Sequence, residues 1–110
     1  QTRCFLYISD CIDAFYSIVF NRKCDNQIFN IGSNKEIKII QFAKLVKKLT
    51  RSKSKILINS NQLTKFGGYE DIIRRVPDID KLKKKLLWKP KINIEEGLKI
   101  LINNFKLKKN

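Results

Sequence analysis

The chain of 110 residues contains no histidine and no methionine. Without histidine it has no imidazole for general acid–base catalysis or for metal binding. Its apolar runs are too short to cross a membrane. No basic region followed by an apolar stretch indicates a signal peptide. Because the chain starts at Gln1 and has no methionine, we expect that upstream sequence has been left out.

The three cysteines, Cys4, Cys11 and Cys24, are odd in number and widely spaced. A zinc site would need closely spaced cysteine pairs, and a disulfide framework would normally use an even number. We therefore expect buried free thiols and a reducing, cytoplasmic location.

The net charge of +14 raises the possibility of a nucleic-acid-binding protein. Lysine supplies 19 of the 24 basic residues, and isoleucine and asparagine are abundant too, as an A/T-rich genome would produce. Nucleic-acid binders more often use arginine and place aromatic residues beside the charge. Solvated helix faces are the favoured interpretation, and a small basic nucleic-acid-binding module is the alternative.

Hydrophobic periodicity predicts an α/β segment over residues 1–110, with four helices and three to four short strands. The length allows one domain at most, or a piece of one. The predicted extended segments are Cys4 to Ile8, Gln27 to Ile31, Glu36 to Ile39 and Lys55 to Asn59. The predicted helices follow Ser9 or Asp10 as a cap, follow Ile39 as far as about Thr50, start at Pro77 and Asp78, and follow Asn93 in a capping box with Glu96. Ser60–Gly68 is predicted to be a mobile loop.

The first predicted helix is apolar around most of its circumference. Its main stripe has helical spacing and comprises Ile12, Phe15, Tyr16, Val19 and Phe20. Ala14 and Ile18 flank that stripe. Such a helix needs cover on two sides, which is more than 110 residues readily supply.

The other core predictions follow the same spacing. The inward positions are Phe42, Val46 and Leu49, then Ile79, Leu82 and Leu86, then Leu98, Leu101, Ile102 and Phe105. Tyr7 and Tyr16 are also assigned to the core. Trp88 is expected to close the third helix as a core residue.

Two of the five arginines are candidate anion ligands. A guanidinium meets a phosphate or carboxylate with two parallel hydrogen bonds, which lysine cannot do. In a chain so rich in lysine, Arg3 and Arg75 therefore stand out. Surface salt bridges are the alternative for both. Tyr69, after two glycines, either contacts a ligand or anchors its loop.

Five segments in order resemble the C-terminal part of extended short-chain dehydrogenases/reductases, the NAD-dependent epimerase/dehydratase family. They are Gln1–Asp10 (Gln-Thr-Arg-x-Phe-x-Tyr-x-x-Asp), Ile28–Gly32, Arg75–Ile79, Leu86–Pro90 and Ile94–Leu98. The resemblance covers nearly the whole chain. It implies a substrate-binding lobe with the tail of a Rossmann domain.

The chain departs from the family pattern at Leu87, where glycine is common, so a differently shaped turn is expected there. Gly68–Asp71 followed by Arg75 is most similar to UDP-glucuronate decarboxylases, while epimerases and dehydratases remain open. That resemblance implies that Gln1 and Arg3 lie in the nucleotide-sugar pocket, with Arg3 on the UDP portion. It also implies that Tyr69 contacts the substrate and that Arg75 acts in decarboxylation near the sugar carboxylate.

The chemistry implied by the family is hydride removal at C4 by NAD, loss of CO₂ from the β-keto acid, and reduction. The chain has neither a Gly-rich NAD loop nor a Tyr-x-x-x-Lys pair. We therefore expect it to be inactive and to bind no NAD by itself. The implied partners are a UDP-sugar substrate and a missing N-terminal Rossmann portion, in a family that is often homodimeric.

Overall fold

The computed structural model describes residues 1–58 and 72–107. Four helices lie in these ranges: α1 (Ile8–Val19), α2 (Ile39–Thr50), α3 (Asp80–Leu86) and α4 (Ile94–Leu107). Two strands, β1 (Thr2–Cys4) and β2 (Glu36–Lys38), form a sheet, and a short 3₁₀ helix covers Arg22–Cys24. The predicted α/β class and four helices are confirmed, while the loop predicted at Ser60–Gly68 lies outside the described residues.

The two strands pair antiparallel, with Thr2 opposite Lys38 and Cys4 opposite Glu36. The first strand thus ends where the sequence predicted it to begin. Pairing ends at Cys4, the last residue opposite β2, and Tyr7 is already the N-cap of α1. The cap forms no side-chain hydrogen bond, so the predicted capping by Ser9 or Asp10 was wrong.

Two other predicted strands do not form in the described residues. Residues 27–31 and 55–58 have no ladder partner, and Asn59 lies outside the described range. Ile28 and Leu57 are both 87% exposed. A strand is held by hydrogen bonds to a neighbour, and no further strand of the described chain lies beside these segments.

Helix α1 is rotated relative to the prediction. Asp10 and Ala14 are buried, and Ile18 packs on the core, so the inward face follows the spacing i, i+4, i+8. The five-residue apolar stripe, Tyr16 included, is exposed, which corrects the core assignment. The Asp10 carboxylate explains this orientation of α1. It accepts hydrogen bonds from the backbone N–H groups of Lys91 and Ile92, which keeps its side of the helix turned inward.

The core lies where α1, α3 and the segment after α3 meet. Ala14, Ile79, Leu82 and Trp88 form its buried centre, with Leu6, Ile18, Phe29, Ile31 and Leu86 packed against it. The core role of Trp88 is confirmed, as are the inward positions of Ile79 and Leu82.

The remaining core predictions are met only in part. Those that are half-buried are Tyr7, Phe42, Val46, Leu49, Leu86, Leu98 and Ile102. Leu101 and Phe105 are exposed, contrary to the prediction. The inward side of α4 is therefore narrower than its apolar stripe.

Several motif residues have a packing or capping role. Asn93 Oδ1 accepts a hydrogen bond from the N–H of Glu96 at 3.0 Å, so the predicted cap of α4 is confirmed. A Cβ on Gly97 would lie 2.9 Å from the Tyr7 ring, so glycine permits this close approach. Leu87 has φ 52°, the left-handed conformation that glycine favours after a helix. Leu87 therefore occupies a left-handed backbone position although it carries a side chain.

Candidate functional site

Residues 72–74 lie along the edge of β1 that faces away from β2. The carbonyl of Gln1 accepts a hydrogen bond from the N–H of Ile39 and so points toward β2. Backbone polar groups of successive residues in a strand point to opposite edges, so the N–H of Thr2 points away from β2. There Thr2 N–H donates to the carbonyl of Ile73 at 3.0 Å. Two segments that are about seventy residues apart in sequence are therefore neighbours.

The structure brings the region of Arg3 next to the segment that leads to Arg75. Arg3 Nη1 donates to the carbonyls of Thr2 and Ile72, both at 2.8 Å. Arg75 is exposed, and its guanidinium forms no hydrogen bond or ion pair with residues 1–58 or 72–107. The surface salt bridge considered as its alternative role is therefore not formed within those ranges.

The other two predicted ligands are less fully defined. Gln1 is exposed at the start of β1, where its backbone carbonyl holds Ile39. Tyr69 lies outside the described residues, so its predicted contact stays a prediction.

The sequence analysis missed a charged contact beside β1, between Glu36 and Arg74. Glu36 Oε2 accepts from Arg74 Nη2 at 2.8 Å and Nε at 3.2 Å, and Glu36 Oε1 accepts from the Thr2 hydroxyl at 2.8 Å. The hydrogen bond from Arg74, followed by that from Thr2, lowers the pKa of Glu36 below its ordinary value of 4.5. Glu36 is therefore charged throughout the neutral range.

Cys4 lies opposite Glu36 in the sheet. Burial, and then the negative charge of Glu36, raise the pKa of the Cys4 thiol above 9.0. A thiol is a far weaker nucleophile than a thiolate, so Cys4 is poorly suited to nucleophilic chemistry at neutral pH. All three cysteines are free, but only Cys24 is buried, and Cys4 and Cys11 are half-buried.

An open cleft of about 760 Å³ lies beside this region, between residues 33–37 and 89–94. Glu36 lines it together with four lysines, Lys35, Lys83, Lys89 and Lys91. Arg3 and Arg75 are not among its lining residues. This cleft is therefore not formed by the predicted ligands Arg3 and Arg75.

The described residues offer neither a metal site nor a membrane-spanning helix. They contain no group of three or more Cys, Asp or Glu side chains arranged to hold a metal ion. None of their helices combines the length and the apolar character that membrane crossing requires.

The Gln-x-Arg segment that carries part of the resemblance lies at the start of strand β1 of a small α/β unit. A family model described as GDP-mannose 4,6 dehydratase matches residues 1–101. The chain belongs to this family, and the resemblance to NAD-dependent epimerases and dehydratases is confirmed.

Curated relatives have more specific names. UDP-N-acetyl-alpha-D-glucosaminuronate decarboxylase of Bacillus cytotoxicus is 38% identical over 106 residues, which cover 96% of this chain and 33% of that protein. UDP-glucuronic acid decarboxylase 1 of Xenopus tropicalis is 36% identical and is covered to 23%. This chain thus spans a third or less of the length of these relatives. The nucleic-acid alternative finds no support among them.

A solved structure shows the same fold. The UDP-glucose 4-epimerase of Thermotoga maritima, determined with UDP-glucose, superimposes with a TM-score of 0.84 at 27% identity. All of this chain and 33% of the epimerase chain are aligned. Two-thirds of the epimerase therefore has no counterpart here.

Proposed function

We propose that this chain is the substrate-binding C-terminal portion of an NAD-dependent nucleotide-sugar enzyme, and that its substrate is a UDP-linked uronate. The observation that carries the proposal is the contact of β1 with residues 72–74. It joins the Gln-x-Arg motif to the segment of Arg75, the two motifs that a nucleotide-sugar pocket would need. Relatives named as UDP-uronate decarboxylases support decarboxylation over epimerisation or dehydration.

Each proposed ligand has a distinct task. Gln1 and Arg3 bind the UDP portion, and Tyr69 contacts the substrate. Arg75, exposed and without a partner in the described residues, binds the sugar carboxylate and orients it for loss of CO₂. A guanidinium suits that role because its two parallel N–H donors match the two carboxylate oxygens.

The glycines that the structure describes do not fit NAD. A dinucleotide site needs glycines whose open backbone approaches the pyrophosphate. Among the described residues, Gly32 and Gly97 instead face Pro77 and Tyr7, at 2.7 and 2.9 Å from an added Cβ. Hydride transfer therefore belongs to another portion of the enzyme, and we assign this chain only substrate binding and orientation.

The exposed side of α1 is where we place that other portion. We call it the α1 outer face, and it consists of Ile8, Ile12, Phe15, Tyr16, Val19 and Phe20. Its three aromatic side chains, each more than half exposed, offer on the order of 300–400 Å² of surface. This area is comparable to the largest exposed apolar patch on a typical monomeric protein, which is about 300–600 Å². The unmatched two-thirds of the epimerase fold supplies enough polypeptide to cover it.

A chimaera tests the proposal. This chain replaces the matched third of the Bacillus cytotoxicus decarboxylase, and binding of UDP-glucuronate and of its N-acetylglucosaminuronate counterpart is measured by calorimetry. We expect binding, and we expect Arg3→Ala and Arg75→Ala each to weaken it about 10- to 100-fold, as loss of a charged hydrogen bond should. Arg22→Ala, an exposed arginine remote in sequence, is the control.

Two results would count against the proposal. A folded chimaera that binds neither sugar nucleotide would exclude UDP-uronate recognition by this chain. Equal affinity of the wild type, Arg3→Ala and Arg75→Ala would exclude the assigned ligands. The free thiols are consistent with a cytoplasmic enzyme, and we include that location in the proposal.

A further inference from the structure

Glu36 pairs with Arg74 at the junction of β1, β2 and residues 72–74. Its contact with Arg74 uses two guanidinium nitrogens, at 2.8 and 3.2 Å, and its other oxygen accepts from Thr2. Both nitrogens donate to the same oxygen, Oε2, and hydrogen bonds between charged groups are stronger than neutral ones. Thr2 in turn restrains the carboxylate, so the position of Arg74 is specified relative to β1.

The backbone of the same segment is attached to β1 as well. The carbonyl of Ile73 accepts from Thr2 N–H, and the carbonyl of Ile72 accepts from Arg3 Nη1. Side chains alternate between the faces of a strand, so Thr2 and Arg3 belong to opposite faces of the sheet. All three residues that precede Arg75 are therefore attached, one by its side chain and two by their carbonyls.

The charge of Glu36 would otherwise oppose the proposed function. A carboxylate near a bound diphosphate and uronate repels them, and the repulsion grows as water is excluded. Arg74 neutralises that charge at 2.8 Å. A negative side chain is tolerable here because it is used to hold a cation in place.

We propose that Glu36 is a positioning residue: through Arg74 it fixes residues 72–74 against β1 and thereby sets where Arg75 meets the sugar carboxylate. This inference rests on the proposed function, because it assigns Arg75 to that carboxylate. Glu36 itself touches no substrate. Its effect should therefore appear in the preference for a uronate over a neutral sugar, and not in binding of UDP as such.

The first measurement addresses the contact alone, in the 110-residue chain. NMR gives the exchange rate of the Arg74 Nε–H proton and the backbone order of residues 72–75. We expect Glu36→Gln to speed the exchange about tenfold or more, since a charged hydrogen bond is lost, and to loosen residues 72–75. The matched control is Glu95→Gln, which removes an exposed carboxylate that pairs with Lys99 at 2.8 Å on α4. It should leave both quantities unchanged.

The second measurement addresses the role, in the chimaera described above. The readout is the affinity for UDP-glucuronate divided by the affinity for UDP-glucose. We expect Glu36→Gln to lower this ratio about tenfold, Arg75→Ala to lower it similarly, and the double variant to lower it no further. The charge-exchanged pair, Glu36→Arg with Arg74→Glu, should restore part of the ratio.

The outcomes separate this inference from the function on which it rests. A chimaera that binds no sugar nucleotide overturns both, while the NMR measurement still reports whether the contact exists. If Glu36→Gln weakens both sugar nucleotides equally, or leaves the ratio unchanged while Arg75→Ala lowers it, the positioning role is wrong and the proposed function stands. If residues 72–75 are as ordered in Glu36→Gln as in the wild type, the positioning role is likewise wrong.

Discussion

Replacing Asp10 should destabilise the chain far more than replacing any other carboxylate on α1. Asp10 is 2% exposed, and its Oδ2 accepts from the N–H groups of Lys91 at 3.1 Å and Ile92 at 2.9 Å. These bonds join α1 to the connection between α3 and α4, about eighty residues away in sequence. Asp10→Ala would leave both donors without an acceptor.

The magnitude follows from the number and kind of these bonds. A hydrogen bond to a charged group contributes about 1.5–3 kcal/mol, and an unsatisfied buried donor adds a penalty. Because the two N–H groups are only partly buried, water can replace some of the loss, and we expect about 2–4 kcal/mol for Asp10→Ala. Asp10→Asn keeps a neutral acceptor and should cost about 1–2 kcal/mol.

Urea unfolding followed by circular dichroism measures these differences. Asp13→Asn is the matched control: Asp13 lies on the same helix and also contacts Lys91, but through a half-exposed ion pair of 3.4 Å. Such pairs contribute about 0–1 kcal/mol. The reasoning would be refuted if Asp10→Ala and Asp13→Asn shifted the free energy of unfolding equally. If Asp10→Ala no longer unfolds cooperatively while Asp13→Asn does, this result counts as the large destabilisation expected for Asp10→Ala.

Three further predictions concern single positions. Gly97→Ala should lower the free energy of unfolding by about 1 kcal/mol, because overpacking against Tyr7 outweighs the higher helix propensity of alanine. Increased stability in urea would contradict this and show that the Tyr7 ring moves aside at no cost. Leu87→Gly should raise the thermal midpoint, because the left-handed backbone at φ 52° would no longer carry a side chain. The expected net gain in folding stability is about 0.5–1 kcal/mol, and an unchanged or lower midpoint would contradict it. The pKa of Glu36 is lower in the folded chain than its ordinary value of 4.5. Its contribution to folding stability is therefore complete above pH 4.5 and is lost as the pH falls through the lower pKa of the folded chain. A carboxyl-carbon NMR titration should therefore give a midpoint below 4.5 that rises in Arg74→Ala, and a midpoint at or above 4.5 in the wild type would be inconsistent with the contact.

Local signals in the sequence predicted most of the helices well. The end of α2 at Thr50 and the cap of α4 at Asn93 each depend on residues within one or two turns. Helix periodicity and capping are short-range effects, so a single sequence contains the information. The strands at 27–31 and 55–58 failed for the opposite reason, because a strand requires a neighbour that the sequence pattern cannot locate.

The candidate site was predictable only one residue at a time. Arg3 and Arg75 stood out because arginine is scarce in this chain, and that signal is local. The contact of Glu36 with Arg74 joins residues that are 38 positions apart. Nothing in either neighbourhood distinguishes Glu36 from the other acidic residues, so its role depends on the pairing of β1 with β2.

The orientation of helix α1 is not the one that its apolar stripe favours. An amphipathic helix normally turns its most apolar side toward the core, yet α1 turns Asp10 and Ala14 inward and leaves Phe15 and Phe20 outside. The inward side is fixed by the hydrogen bonds of Asp10, and the small Ala14 belongs to the buried cluster of the core. The outward side gains nothing from aromatic residues in water, since each would stabilise the protein only when buried. The two sides together are therefore the pattern of a helix that packs on the core with one side and on a further protein surface with the other. Under the proposed function, that surface is the NAD-binding portion.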